Sequence, residues 1–395
     1  MRIFFALLML LSVLWAQETY DEFLQNEQES LKEAQVKEQE DFKNYIKETN
    51  REFEEYKKVF MEEFNKFKSD VAKHWDSVEY TDRKKWVEYS KDYNTKKVFN
   101  FENGKLRIEV SGKVNNPQER IKKELKDFLT EDKKEAFRRD PVARNVEEKI
   151  RNKFKNAKTG SIEKNPILAP IVLGKSTLKK SELQEGINRL LKKGKILTKK
   201  TKKGEVIVFT VNIPPGHVLK KAKQYKPIVI KEAKKRKVSP ALVFAIIHTE
   251  SYFNPMARSW VPAYGLMQIV PNTAGKDAST IIYGKPVVLS PSYLYNAENN
   301  IKIGTAFLYL LYYKYFKDVH DPESRLYCTI AAYNTGVGNV AYAFTKSTNL
   351  KKAIGYINKM KPKEVYEALI RNLPSSETRD YLKKVTSRII IYKNL

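Results

Sequence analysis

Cysteine is almost absent from this sequence of 395 residues, which contains a single one, Cys328. Cys328 cannot form an intrachain disulfide, and its apolar surroundings, LYCTIAAY, favour a buried small side chain over a nucleophile. The four histidines, at positions 74, 217, 248 and 320, lack the spacing of metal ligands. We therefore expect neither a metal site nor a cofactor.

Acidic residues are fewer than basic ones: the sequence contains 47 Asp and Glu against 74 Lys and Arg, which gives a formal net charge of +27. A charge of this size is typical of proteins that bind nucleic acid, an anionic membrane surface or another anionic polymer. It also favours solubility without any function, so the charge alone does not choose among these partners.

The first sixteen residues predict an export signal. Arg2 supplies a basic start, residues 3–15 form an apolar run, and Ala16 offers a cleavage site, although Leu14 stands where a small residue is usual. The run is too short for an ordinary membrane span, and an uncleaved N-terminal anchor is the alternative. Export argues against nucleic acid as a partner and favours the cell envelope.

Residues 17–74 are interpreted as a helical arm. The segment is rich in Glu, Lys and Gln, and aromatic or apolar residues recur every seven positions at Ile46, Phe53, Phe60 and Phe67. This spacing predicts a long amphipathic helix. Packing against the chain's own domains, self-association and a solvated spacer all remain open for it.

Residues 75–213 are predicted to form a small α+β domain. The Asn-Gly pair at 103–104 predicts a hairpin with a two-residue loop, in which Phe101 lies opposite Leu106 and Phe99 opposite Ile108. Asn116 and the proline after it predict a capped helix. Residues 206–213 predict another strand, and the lysine-dense stretch from about 147 to 203 is interpreted as loops and exposed edges.

The segment Ile213-Pro214-Pro215-Gly216 predicts a domain boundary, since prolines and glycine end a strand. Beyond it, residues 214–395 are almost wholly helical in pattern. The predicted fold class is therefore α+β multidomain, with a long N-terminal helix, a small α+β domain and an all-α C-terminal domain.

Glu250 is the first candidate for chemistry. It lies near the end of a predicted helix that starts at Ser239-Pro240 and ends before Asn254-Pro255. The helix is apolar nearly all round, which is typical of a buried helix. Burial and the negative end of the helix dipole both raise a carboxyl pKa, and a carboxyl still protonated near neutral pH suits general-acid catalysis. A helix-end glutamate that simply reaches water is the alternative.

Four motifs strengthen the first interpretation: HTESYFNP at 248–255, YGLMQI at 264–269, AAYNTG at 331–336 and ETRDYL at 377–382. Their order and spacing resemble the soluble-lytic-transglycosylase superfamily. The segment VEYTD at 78–82 and the Asn-Gly hairpin resemble the N-terminal domain of the membrane-bound lytic murein transglycosylase C family. We take the resemblance to cover about residues 75–395 and to exclude the arm.

The resemblance implies a lysozyme-like (goose-type) catalytic domain with one essential glutamate, which maps onto Glu250. It further implies that the enzyme cleaves peptidoglycan glycan strands without water and leaves 1,6-anhydro-muramoyl ends. The sequence agrees with a single carboxylate, because Glu298 and Glu377 lie near helix starts that explain them and Asp277 lies in a predicted loop.

The same resemblance implies substrate-binding roles for the motif residues around Glu250. Ser259 stands at the family's serine position, where it would orient an N-acetyl group, and Tyr381 matches a family tyrosine near the glutamate. The remaining candidates for substrate binding are Gly265, Met267, Gln268, Tyr333 and Asn334. Among them, Met267 is better explained by packing than by contact with substrate, and Asn334 fits a structural role equally well. Gly265 would let substrate approach the backbone.

Two departures from the family pattern alter the expectations. Trp260-Val261-Pro262-Ala263 replaces the small residues expected before the second motif, and predicts a stiffer loop or a different subsite. No cysteine follows the signal, which argues against anchoring as an outer-membrane lipoprotein, so we expect a periplasmic protein that is either soluble or held at a membrane by its signal segment or basic surface. The oligomeric state stays open. The competing functions are a hydrolytic muramidase of the same fold, a non-catalytic wall-binding scaffold and, from charge alone, an exported nucleic-acid binder.

Overall fold

The structure is a computed structural model that describes residues 2–213 and 217–395, with side chains from residue 25 onward except at 35, 38, 39, 42 and 217. It divides into two compact units, Met1–Glu55 and Tyr56–Leu395. The predicted boundary at 214–216 lies outside the described residues. So do Met1 and the side chains of the predicted export signal.

Helix α1 runs without interruption over Arg2–His74, which confirms the predicted long helix. From Tyr56 onward its apolar stripe is buried in the larger unit, through Tyr56, Phe60, Phe64 and Val71. For this C-terminal segment of α1, packing against the chain's own domains is therefore the correct alternative. No helix in the described part of the chain combines the length and apolarity needed to cross a bilayer.

A five-stranded antiparallel sheet follows, in the order β1-β2-β3-β5-β4. Its strands are β1 Lys85–Tyr89, β2 Thr95–Asn100, β3 Lys105–Ser111, β4 Lys195–Thr201 and β5 Gly204–Asn212. Strand β5 confirms the strand predicted at 206–213. It pairs with the distant β3, where Ile108 lies opposite Phe209; β3 alternates buried apolar residues with polar ones, whereas β5 has a continuous buried apolar run at 206–209.

The predicted hairpin exists between β2 and β3, but its predicted register is wrong. Phe99, not Phe101, lies opposite Leu106, and the loop spans residues 101–104. The Asn100 side chain accepts hydrogen bonds from the N–H groups of Glu102 and Asn103 at 2.9 and 3.2 Å, which starts the turn two residues earlier than the Asn-Gly pair implies.

Five helices complete the α+β region: α2 Pro117–Thr130, α3 Lys133–Arg139, α4 Pro141–Lys153, α5 Ala169–Val172 and α6 Lys180–Lys193. Asn116 caps α2 by accepting from Glu119 N–H, as predicted. The interpretation of the lysine-dense stretch as loops is wrong at α6, where Gly186, Ile187 and Leu190 are buried as a stripe between lysines. It is confirmed at β4, an exposed edge strand.

The C-terminal region is helical, as predicted, and residues 217–395 form no strand beyond isolated bridges. Its helices are α7 His217–Lys235, α8 Pro240–Ser251, α9 Ala274–Tyr283, α10 Pro291–Tyr295, α11 Ala297–Leu310 with a π-helical turn at Leu311–Tyr315, α12 Pro322–Thr335, α13 Val337–Thr345, α14 Leu350–Ile357, α15 Pro362–Asn372 and α16 Ser376–Tyr392. Helix α8 packs between α7 and α16.

One buried lysine connects the sheet to these helices. The Lys221 ammonium of α7 donates hydrogen bonds to the carbonyl oxygens of Phe101, at 2.8 Å, and of Tyr252, at 2.7 Å. Lys221 is fully buried, and burial places its pKa well below the usual value. Both carbonyls lie outside regular structure, and the ammonium supplies each of them with a hydrogen-bond donor.

Candidate active site

Glu250 lies in the last turn of α8, whose side chains are buried nearly all round, as the sequence predicts. Ser239 occupies the N-cap position, although its side chain makes no capping hydrogen bond. The helix ends at Ser251, earlier than the predicted stop, because Tyr252 and Phe253 adopt left-handed backbone angles with φ of 51° and 64°. The Ser251 hydroxyl donates to Leu266 O at 2.8 Å and holds the helix end against the second motif.

The Glu250 carboxyl is only 5% exposed, and burial raises its pKa to about 7. The positive charge of Arg83 and the hydroxyl of Tyr381 act against this rise, whereas the negative charge of Glu377 adds to it. The direction and the leading cause predicted from the sequence are therefore confirmed. The contribution of the helix dipole stays a prediction.

Arg83 is a site residue that the sequence reasoning missed. Its guanidinium lies 3.8 Å from Glu250 Oε2 and 2.9 Å from Glu377 Oε1, so one cation joins two carboxylates. The backbone before it is anchored at the end of α8, because Asn254 Nδ2 donates to Asp82 O at 3.3 Å. The Asp82 carboxylate in turn accepts the N–H of Lys84 at 2.7 Å and shapes the turn that projects Arg83.

The sequence interpretation explained Glu377 only by its place at a helix start, but the structure shows that it also lies in the cleft. It does lie in the first turn of α16, and it also lines the same cleft as Glu250. Its side chain remains 63% exposed. The clue in the sequence was its place in the fourth motif, four residues before Tyr381.

Two tyrosines lie close to Glu250. The Tyr333 hydroxyl donates to Met267 O at 2.9 Å, and burial raises its pKa well above the usual value, with Glu250 adding to the rise. The Tyr381 hydroxyl lies near enough to the Glu250 carboxyl to lower the pKa of that carboxyl. It nevertheless forms no hydrogen bond of ordinary length and has no other partner within the described residues.

Three more predicted residues line the cleft. Gln268 donates from Nε2 to Gly265 O at 2.9 Å, while its Oε1 is buried without a hydrogen-bond partner. Asn334 Oδ1 accepts from Thr378 Oγ1 at 2.7 Å, which joins the third and fourth motifs. The Ser259 hydroxyl donates to the carbonyl of Val261 in its own loop. The structure therefore brings all three to the cleft that contains Glu250.

Gly265 and Met267 do not lie on the cleft wall. Gly265 has φ +75°, and a Cβ there would meet Asn300 and lie 2.5 Å from Leu294 O. Asn300 Oδ1 accepts the Met267 N–H at 2.8 Å, and the Met267 side chain packs against Gly304. The expectation that substrate approaches the backbone at Gly265 is thus not met, because Asn300 occupies the space that this glycine leaves.

The cleft encloses about 950 Å³ and has walls from both parts of the larger unit. The N-terminal part contributes the side chains of Phe60, Phe64 and the segment 80–84, and the helical part contributes the motif residues. A proton-exchanging carboxyl in a long, open cleft, bordered by amide and hydroxyl groups, fits acid–base cleavage of an extended polymer.

Family models match both parts of the chain. Residues 227–355 match the Transglycosylase SLT domain, and residues 46–138 match the N-terminal domain of membrane-bound lytic murein transglycosylase C. The second match begins within α1, so the expectation that the resemblance excludes the arm is wrong for its second half.

Curated relatives carry the same name. A membrane-bound lytic murein transglycosylase C from Serratia proteamaculans (strain 568) is 44% identical over 180 residues, 45% of this chain and 49% of that protein. One from Yersinia pestis (strain Pestoides F) is 33% identical over 306 residues, 77% of this chain and 81% of that protein.

Solved structures with similarity include an inactive mutant of the lytic transglycosylase Slt from Pseudomonas aeruginosa, at 29% identity and TM-score 0.33, covering 42% of this chain and 24% of that one. Another is the 70 kDa soluble lytic transglycosylase from Escherichia coli, at 27% identity and TM-score 0.33, covering 45% and 25%.

The matched domains and the site around Glu250 define a lytic transglycosylase with a lysozyme-like catalytic domain. Within that class, the chain belongs to the membrane-bound lytic murein transglycosylase C family, whose Yersinia member it matches over most of both lengths.

Proposed function

We propose that this protein cleaves the β-1,4 bond between N-acetylmuramic acid and N-acetylglucosamine in peptidoglycan, without water, and leaves 1,6-anhydro-muramoyl ends. The observation that carries the proposal is the buried Glu250 carboxyl with a pKa of about 7. Such a group is protonated in a large share of molecules at neutral pH, yet it is basic enough to accept a proton afterwards.

The proposed reaction uses Glu250 twice. Its carboxyl first donates a proton to the departing glycosidic oxygen, while the N-acetyl group of the muramoyl sugar assists the breaking bond. The carboxylate then removes the proton of the C6 hydroxyl, whose oxygen bonds to C1 and closes the anhydro ring. Protons balance, because the one that Glu250 gives away is replaced by the one that it takes back.

The alternative is a hydrolytic muramidase, and such enzymes usually pair two carboxylates, for which Glu377 is the candidate second group. The exposed Glu377 side chain is engaged by Arg83 at 2.9 Å, an arrangement that lowers the nucleophilicity of a carboxylate. Enclosure of Glu250 also limits access by water, which a transglycosylase must exclude. Both features support the non-hydrolytic reaction over its hydrolytic relative.

We assign supporting roles to the other motif residues by their positions. Ser259, Gln268, Tyr333, Asn334 and Tyr381 are proposed to bind the strand, since each has a polar group in or beside the cleft. Gly265 and Met267 would act indirectly, by holding the loop against Asn300. Tyr381, with its buried hydroxyl unpartnered, would donate a hydrogen bond to the Glu250 carboxylate after the first proton transfer.

The proposed setting is the periplasm, at a membrane surface, where the enzyme would remodel or turn over the cell wall. Relatives are named membrane-bound, and the formal charge of +27 favours anionic surfaces. Peptidoglycan strands are the proposed partner, whereas nucleic acid is not.

Mass spectrometry of digested peptidoglycan tests the reaction. Wild type should release anhydro-muramoyl ends, and Glu250→Gln should abolish lysis while remaining folded. Glu298→Gln is the matched control, because this helix-start glutamate pairs with Lys231 and lies outside the cleft. Reducing ends would instead establish a muramidase. Wall binding without lysis by the intact protein would establish a scaffold.

A further inference from the structure

An exposed indole lies in the wall of the cleft. Trp260 is 53% exposed and its neighbour Val261 is 45% exposed, and both line the cleft that contains Glu250. Among the described tryptophans, Trp75 and Trp86 are almost wholly buried. Adjacent exposed apolar side chains inside a cleft, and not scattered over the surface, are typical of a ligand-binding site.

The surroundings hold this indole in place. Its ring meets Phe64 of α1 edge to face, with centroids 5.2 Å apart, and Phe64 meets Tyr80 in the same way at 4.9 Å. Phe60 stacks on Phe64 at 5.8 Å. The N-terminal part of the larger unit therefore supplies an aromatic base on which Trp260 rests.

The loop that carries Trp260 is also fixed at both ends. Before it, the buried Arg258 pairs with Asp140 at 2.9 Å. Across it, Ser259 N–H donates to Ala263 O at 3.1 Å, and Pro262 restricts the backbone between them. A rigid aromatic side chain that is partly open and already oriented loses little entropy on binding, which is the property of a recognition platform.

We propose that Trp260 is a sugar-binding platform that stacks against an N-acetylhexosamine ring of the glycan strand, in a subsite beyond the two sugars whose bond is cleaved. Its apolar face matches the C–H face of a pyranose, whereas the ring hydroxyls remain free to meet water. The Lys68 ammonium lies over the Trp260 ring, 5.9 Å from its centroid, in a cation–π contact that helps to hold the indole.

This proposal rests on the proposed function, since it requires a glycan strand in the cleft. A glycan strand is longer than the two reacting sugars, and Glu250, Ser259 and Trp260 all line the same cleft. The peptide stems of peptidoglycan are polar and charged, so they match an apolar indole less well than a sugar face does.

Defined glycan chains without peptide stems, from four to eight sugars, provide the test. Binding is measured by calorimetry in the Glu250→Gln background, where no strand is cleaved, and KM and kcat are measured in the active enzyme. Trp260→Ala should weaken binding of eight-sugar chains about tenfold and raise KM to match, with kcat nearly unchanged. The same Trp260→Ala variant should bind four-sugar chains almost as tightly as the parent does. Trp260→Phe should retain most of the affinity for eight-sugar chains.

Tyr356→Ala is the matched control, because Tyr356 is 50% exposed on α14 and lies outside the cleft. It should bind every chain as well as the parent. Thermal melting of each variant establishes that the fold is retained. If Trp260→Ala lost the same affinity for chains of every length, or lost no affinity for any of them, the proposed platform would be overturned.

The two proposals fail separately. If wild type produced reducing ends while Trp260→Ala still weakened long chains in the Glu250→Gln background, the anhydro reaction would be rejected and the platform retained. If anhydro ends formed normally while chain-length dependence survived Trp260→Ala, the platform alone would be rejected.

Discussion

Arg83→Gln should raise the pKa of Glu250, because it removes a positive charge 3.8 Å from the carboxylate. At this separation the attraction is worth about 1 kcal/mol with the dielectric constant of water and about 4 kcal/mol at an effective value of about 20. Arg83 is 40% exposed, so water screens the pair and the lower figure applies. The expected shift is about one pKa unit, from about 7 toward about 8.

Glu377 adds to this shift. It already raises the pKa of Glu250, and Arg83 at 2.9 Å offsets part of its charge. Without Arg83 the full repulsion reaches Glu250. The converse variant, Glu377→Gln, should lower the pKa of Glu250, because it removes the repulsion and leaves Arg83 to interact with Glu250 alone.

The assay is the pH dependence of kcat/KM on stem-free glycan chains. If Glu250 must be protonated to begin the reaction, its ionisation sets the alkaline limb, which should move up by about one unit in Arg83→Gln and down in Glu377→Gln. Opposite movements cannot come from general damage to the fold. Arg371→Gln, an exposed arginine outside the cleft, should leave the limb in place. An unmoved or lowered limb in Arg83→Gln would refute the reasoning.

Three further predictions concern stability. Folding raises the pKa of the Glu250 carboxyl from 4.5 to about 7, so this group destabilises the fold increasingly as the pH rises between those values. In urea unfolding, the free energy of unfolding of Glu250→Gln should therefore exceed that of wild type by up to about 3 kcal/mol above pH 7, and should equal it near pH 4. Lys221→Met removes the ammonium that donates to two carbonyl groups and should cost about 1–3 kcal/mol by the same measurement; unchanged stability would contradict this role. Gly265→Ala should lower Tm more than Gly284→Ala, since both glycines have positive φ but a Cβ at Gly284 meets nothing within 4 Å.

The setting of Glu250 could be predicted from the sequence because its causes are local. A helix with apolar residues on all sides must be buried, and a carboxylate in it must lose its hydration, whatever the surrounding fold. The capped helix α2 and strand β5 follow equally from short patterns. The motifs, by contrast, indicated Tyr333 and Tyr381 through resemblance, without showing that one hydroxyl would be bonded to Met267 and the other left unpartnered.

Other features depend on contacts that no local pattern contains. The predicted β2–β3 register was wrong because the Asn100 side chain starts the turn. The Asn-Gly pair alone does not show whether an earlier residue contributes to the turn in this way. Helix α6 was missed because its buried stripe is only three residues long and lies within a segment that is otherwise polar and charged. Arg83 could not be predicted as a neighbour of Glu250, since their approach requires Asn254 to hold the Asp82 backbone.

These misses have a common origin in the N-terminal part of the larger unit. Motifs locate the chemistry in the helical region, yet Arg83 sets the charge beside Glu250, Phe64 supports Trp260, and Lys221 is satisfied in part by Phe101 O. The helical region by itself would therefore retain Glu250 but lose the cation that moderates its pKa and the base of the aromatic wall. It follows that the N-terminal part is a component of the candidate active site and not only a spacer, because both the pKa of the proposed catalytic carboxyl and the walls of the cleft depend on it.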